Sequence, residues 1–71
     1  MKEGENVVNA KKIESLRLSK KLNRIEFADV VNSSPAMIKH VEYGIKQPSV
    51  ALLKRMSDYF DCKVDDLIIS A

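Results

Sequence analysis

Cysteine occurs once in this chain, as Cys62, and histidine once, as His40. A lone cysteine excludes an internal disulfide, and together the two residues supply too few soft ligands for a structural zinc site. Cys62 therefore reads as a small core residue. Long apolar runs are also missing. The longest, Val50 to Leu53 and Leu67 to Ile69, fall far short of the roughly 20 residues that a membrane-spanning helix needs. The polar start Met1-Lys2-Glu3-Gly4-Glu5-Asn6 lacks the charged-then-apolar layout of a signal peptide, so a cytoplasmic location is the default expectation. Length is short as well: 71 residues make one domain, whose core stabilises the fold by only about 3–5 kcal/mol and leaves no room for a separate catalytic unit. No nucleophile, base and oxyanion site stand together, so no enzymatic activity, cofactor or metal is expected.

What is present is the balance of a soluble globular domain, with 45% hydrophobic and 31% charged residues. The net charge of +2 argues only weakly for nucleic acid. Its distribution says more. Residues 1–46 carry nine Lys or Arg against six Asp or Glu, and residues 47–71 carry three against four, so the basic character lies in the first two thirds.

Apolar spacing and capping signals divide the chain into helices. Asn9 followed by Ala10, Ile13 and Leu16 predicts a capped first helix over about 10–21. Asn23-Arg24-Ile25-Glu26 has the form of a capping box, and Phe27, Ala28 and Val31 supply the buried stripe of a second helix, about 24–31. Asn32-Ser33-Ser34 breaks it, with Asn32 suited to a left-handed helix end and Ser34 to capping the next helix. Pro35 fits the first position of that third helix, about 35–43, with Ile38 and Val41 facing inward. After the loop Ile45-Lys46-Gln47-Pro48, Ser49 caps a fourth helix whose Leu52, Leu53, Met56 and Phe60 recur at helical spacing up to Asp61. Asp65 and Asp66 open a last short helical segment, 64–69. The expectation is an all-α bundle of five helices with no strand, residues 1–7 a flexible tail and 8–71 one domain.

Two short helices separated by a three-residue break are the geometry of a DNA-binding helix-turn-helix, whose second helix enters the major groove N-terminus first. The run Leu16-Arg17, Phe27-Ala28, Ser34, Ile38, Val41-Glu42-x-Gly44, Pro48-Ser49 and Val64-Asp65-Asp66-Leu67 resembles the Cro/CI-like (XRE) family of phage and bacterial repressors, over roughly residues 10–69. The resemblance implies a lambda-repressor-like fold and a transcriptional regulator, most often a repressor, that binds double-stranded DNA. It also implies a partly buried ion pair between Arg17 and Glu42, tying the first helix to the third. The family's groove-facing positions fall on Ser34, Pro35, Ala36, Lys39 and His40. Lys39 can donate to guanine O6 and N7, His40 to a base acceptor or a phosphate, and Pro35 and Ala36 can pack on a thymine methyl.

Candidates for phosphate contacts are Asn23 and Arg24, at the start of the second helix, and Lys46 and Gln47, in the loop after the third. Lys11, Lys12, Lys20 and Lys21 read as ordinary solubilising lysines that could form a basic fringe. The chain departs from the family at Arg24, where the commonest residue is a Gln that contacts a phosphate and braces the third helix, at Pro35, where a polar residue is frequent, and at Asn32 and Asp61, where glycine is usual.

One such domain reads only a few base pairs, so a homodimer on a near-palindromic operator is expected. Tyr59, Phe60, Leu67, Ile68 and Ile69 form an apolar cluster that could serve either a dimer interface or closure of the core. No small-molecule ligand is evident. A second reading stays open: with few polar readers on the third helix, the same fold could be a protein-interaction adaptor or antitoxin.

Overall fold

A computed structural model describes residues 7–69. Its order is β1 (Val7–Val8), α1 (Ala10–Ser19), α2 (Arg24–Val30), α3 (Pro35–Glu42), α4 (Val50–Phe60), a 3-10 turn (Val64–Leu67) and β2 (Ile68–Ile69). Each α-helix begins where a side chain satisfies an otherwise orphan backbone amide. Asn9 Oδ1 accepts from the Lys12 N–H at 3.1 Å, Ser34 Oγ from Met37 at 3.1 Å and Ser49 Oγ from Leu52 at 3.1 Å. At α2 the capping box is complete. Asn23 Oδ1 accepts from the Glu26 N–H at 2.8 Å, and the Asn23 N–H donates back to Glu26 Oε1 at 2.9 Å.

The four α-helices bury one core built from Ile13, Phe27, Ala28, Val31, Ile38, Val41, Leu52, Met56, Phe60 and Leu67, closed by Val8. Phe27 lies at its aromatic centre, stacked on Phe60 at 5.2 Å with Tyr59 tilted beside it at 6.3 Å. Cys62 is half-buried and packs against this core.

Two expectations are corrected at the C-terminal end. The segment 64–69 is not a fifth helix: it is one 3-10 turn followed by β2, which pairs antiparallel with β1 in the register Val7↔Ile69 and Val8↔Ile68. The fold therefore has four α-helices and a two-stranded sheet among the described residues. Val7, assigned to the tail by the sequence, belongs to that sheet; residues 1–6 lie outside the described residues. The physical reason is β-branching, because Val7, Val8, Ile68 and Ile69 all favour extended backbone, and the Asn9 N–H donates to the Leu67 carbonyl at 2.7 Å to hold the strands together. The apolar cluster of residues 59–69 is correspondingly divided. Phe60 and Leu67 belong to the core, Tyr59 and Ile68 are half-buried, and only Ile69 is mainly exposed.

The first helix stops at Ser19, short of the expected Lys21, because Lys21 adopts φ 60° and turns the chain toward α2. Asn32 (φ 56°) and Asp61 (φ 55°) take the same left-handed conformation at the ends of α2 and α4, where the family pattern has glycine. The turn between α2 and α3 is held from outside: Arg55 of α4 donates from Nε to the Val31 carbonyl at 2.7 Å and from Nη2 to the Asn32 carbonyl at 3.4 Å.

Candidate nucleic-acid interface

The angle between α2 and α3 is fixed by the turn that Arg55 holds and by a carboxylate at the far end of α3. Glu42 is 1% exposed at its side chain and accepts three hydrogen bonds. Arg17 of α1 is bidentate on it, Nε to Oε2 at 2.7 Å and Nη2 to Oε1 at 3.1 Å, while Arg17 Nη1 donates to the Leu22 carbonyl at 2.7 Å. Arg24, the first residue of α2, adds Nε to Oε1 at 2.9 Å. One buried anion thus joins α1, α2 and α3. Among the described residues, no buried side-chain nitrogen or oxygen is left without a partner, which is the condition under which burying such charges is tolerable.

With Ile38 and Val41 turned into the core, α3 leaves Pro35, Ala36 and Lys39 exposed and His40 partly so. Pro35, Ala36, Lys39 and His40 share one outward face that continues to the exposed Tyr43, and Ser34 is exposed at the N-terminal end of the helix. Of the five positions expected to face the groove, four stand on one face of α3 and the fifth, Ser34, caps its start. Ser34 has a second task, since its Oγ caps α3, but its hydroxyl hydrogen is still free to donate.

The four phosphate candidates fare differently. Asn23 stands at the N-terminus of α2 with its carbonyl oxygen engaged in the capping box. Lys46 is exposed and forms no ion pair among the described residues. Gln47 has a structural bond: its Oε1 accepts the outward-facing Val8 N–H of β1 at 2.9 Å, leaving its NH₂ as the donor that remains. Arg24 turns its guanidinium across to α3. Besides Glu42, it meets the Tyr43 ring at 5.1 Å from the centroid and Glu14 at 3.8 Å. The hydrogen bond to Glu42 pushes the Arg24 pKa up, outweighing the effect of burial, so its charge is permanent. Of the basic fringe, Lys11, Lys12, Lys20 and Lys21 are all exposed, and Lys20 lies over the Tyr59 ring at 5.6 Å.

Tyr43 is the functional candidate that sequence reasoning missed. It is the C-cap of α3, with Arg24 over its ring and Lys39 Nζ at 5.8 Å from the same ring. The signal that could have found it is its spacing of four from Lys39, which puts the two on one helical face. No metal-binding cluster of His, Cys, Asp and Glu occurs among the described residues, and no described helix is long and apolar enough to cross a membrane.

The two short helices α2 and α3 and the turn between them define a class, the helix-turn-helix domains. The helix-turn-helix family model HTH_3 matches residues 13–67, and the chain belongs to this family of Cro/CI-like (XRE) regulators. A search of curated protein sequences finds no match. Among solved structures, the chain is similar to the clp gene regulator ClgR from Corynebacterium glutamicum, with 26% identity and a TM-score of 0.71 over 80% of this chain and 61% of that one. The P22 c2 repressor, solved in complex with the synthetic operator 9T, is 21% identical with a TM-score of 0.75, over 79% of this chain and 85% of the repressor. The SOS-response transcriptional repressor LexA from Eubacterium rectale is 23% identical with a TM-score of 0.79, over 84% and 64%. This chain thus corresponds to 61% of the matched ClgR chain and 64% of the matched LexA chain.

Proposed function

We propose that this protein is a sequence-specific double-stranded DNA-binding repressor that seats α3 in the major groove, N-terminus first. The observation that carries this reading is the outward face of α3, where Pro35, Ala36 and Lys39 are exposed and His40 partly so, on a helix whose opposite side is locked into the core. Lys39 reads guanine through O6 and N7, His40 donates to a base or a phosphate, and Pro35 with Ala36 packs on thymine methyls. Ser34 donates its hydroxyl hydrogen beside them. Phosphates are held by Lys46, by the free NH₂ groups of Asn23 and Gln47, and by the backbone amides at the start of α2. The fold likeness to a repressor solved on its operator supports the same docking.

Two copies act together on a near-palindromic site, because a single face this small contacts too few base pairs to be specific. A groove of about 290 Å³, lined by the apolar Val8, Pro48, Val50, Leu53, Val64 and Ile68 with Gln47 at its polar edge, leaves Val50 86% exposed and is the surface we assign to the second copy. Light scattering at ~100 μM, well above ordinary dimer constants, should give the dimer mass; a monomer there refutes this part.

Selection of binders from a random duplex library, and then affinity measurements across salt concentrations, test the main reading. An enriched inverted repeat with half-sites about one helical turn apart is the expected result. No enrichment, with weak binding that vanishes as salt rises, would reject it. The second reading, a protein-interaction adaptor or antitoxin, is favoured by Ile25 and Val30, apolar side chains 68% and 47% exposed on α2. Replacing Lys39 and His40 together by Ala separates the two. It abolishes duplex binding under the first reading and leaves partner binding intact under the second.

A further inference from the structure

We infer that Arg24 acts on DNA recognition as a positioning residue, holding Tyr43 and through it the base-reading Lys39 in place, and not as a phosphate contact. The inference rests on the DNA-binding reading and concerns a chain of contacts that runs from the core to the recognition face. Glu42, buried and already held by both Arg17 nitrogens, takes Arg24 Nε at 2.9 Å and so fixes the plane of that guanidinium. The guanidinium lies over the Tyr43 ring at 5.1 Å, and Lys39 Nζ meets the same ring at 5.8 Å. A planar, delocalised cation can hold a carboxylate at one edge while covering an aromatic ring. An ammonium at the same place cannot do both.

Charge accounting points the same way. Arg24 faces two carboxylates, Glu42 and Glu14, with its Nη2 at 3.8 Å from Glu14 Oε2, so its positive charge is answered within the protein. A phosphate approaching that site would meet Glu14, which is 39% exposed, and would have to draw Arg24 away from an anion that is fully desolvated on its other side. Lys46, exposed and without an ion pair among the described residues, has no such competition.

The test uses the duplex that the wild-type protein selects from a random library. Base preferences lost in Lys39→Ala define the position that Lys39 reads. Arg24→Lys keeps a charge that can reach a phosphate but loses the planar geometry, and is expected to lose at least tenfold discrimination at that position. Arg24→Met, which keeps length but has neither charge nor donor, should lose the same discrimination while the slope of log K against log[salt] stays at the wild-type value. Lys46→Ala should show the opposite pattern, with selectivity kept and the slope reduced in magnitude by about 0.9, the effect of one phosphate contact. Tyr43→Leu should reproduce the Arg24→Met loss, and the double variant should lose no more than either alone. Arg24 is 30% exposed, and circular dichroism melts identify which variants keep the fold. The inference is overturned if Arg24→Lys keeps wild-type selectivity, or if Arg24→Met reduces the slope by about 0.9 with selectivity intact. If the wild-type protein enriches no duplex at all, the DNA-binding reading itself fails, and the positioning role goes with it.

Discussion

Glu42 and Arg17 are 25 residues apart in sequence and meet in a bidentate pair, Nε to Oε2 at 2.7 Å and Nη2 to Oε1 at 3.1 Å, with side chains 1% and 7% exposed. The value of such a pair lies less in its own energy than in what is left when one partner goes. Removing Glu42 leaves the buried Arg17 without a carboxylate and Arg24 with Glu14 alone, and breaking a buried pair typically costs about 3–5 kcal/mol. A domain of this size has a net stability of the same order. Glu42→Ala is therefore expected to be largely unfolded at 37 °C by far-UV circular dichroism. Replacing both partners with apolar residues, Arg17→Met with Glu42→Leu, removes the unpaired charge and should restore most of the helical signal. A Glu42→Ala protein that melts within a few degrees of wild type would show that the pair is not structural.

Lys21 offers the opposite case, a position where the native residue costs stability. Its φ of 60° is the left-handed region, reached as the chain leaves α1, with the Lys21 N–H donating to the Leu18 carbonyl at 2.9 Å. For a side chain with a Cβ that conformation costs roughly 1 kcal/mol or more, which glycine avoids. Lys21→Gly should stabilise the domain by about 1 kcal/mol, raising Tm by about 4–8 °C. Asn32→Gly should gain less, because asparagine tolerates the left-handed well better than lysine. Thermal melts of the two variants give the ordering directly, and an equal or reversed gain would contradict this account.

The sequence made the helices legible where local chemistry decides them. Asn9, Asn23, Ser34 and Ser49 all cap, and the Asn23–Glu26 box closes as its spacing implies, because a cap needs only residues within one turn of each other. The sheet was not legible. Strands of two residues carry no alternation to detect, and β1 and β2 find each other only because the fold brings residues 7 and 69 together. The same limit applies to the site. The outward face of α3 comes from periodicity, whereas the partners of Arg24, Gln47 and Arg55 are 18, 39 and 24 residues away, and nothing local announces them.

Gln47 illustrates the consequence, since a residue expected to touch phosphate also closes the edge of β1. Its Oε1 is the acceptor for the Val8 N–H, which faces away from β2. Gln47→Met removes that acceptor at similar length, so the domain should lose about 0.5–1.5 kcal/mol, and the Val8 amide should exchange faster by hydrogen exchange. Gln47→Glu keeps an acceptor oxygen and should retain stability within a few tenths of a kcal/mol by urea unfolding, while its charge repels phosphate and weakens duplex binding. If Gln47→Met leaves both stability and Val8 exchange unchanged, the bond contributes nothing in solution.

Cys62 makes a prediction about pH. Burial pushes its thiol up from the ordinary value of about 8.5, and the negative charge of nearby Asp66 adds to the shift. The folded protein therefore holds the thiol proton more tightly than the unfolded chain does. As pH rises past the ordinary thiol value, the unfolded chain ionises first, and the stability present below that pH is lost as the titration proceeds through the higher folded value. Urea midpoints measured from pH 7 to pH 10 should fall for the wild type more steeply than for Cys62→Ala, whose curve lacks this component. Alkylation gives an independent reading, because the thiolate is the reactive form and a raised pKa leaves less of it. At pH 8, native Cys62 should react with iodoacetamide more slowly than the same cysteine in urea. Equal rates in the two states, with parallel pH curves for the two proteins, would mean that the thiol is in effect solvated and that its packing beside the core does not restrain its ionisation.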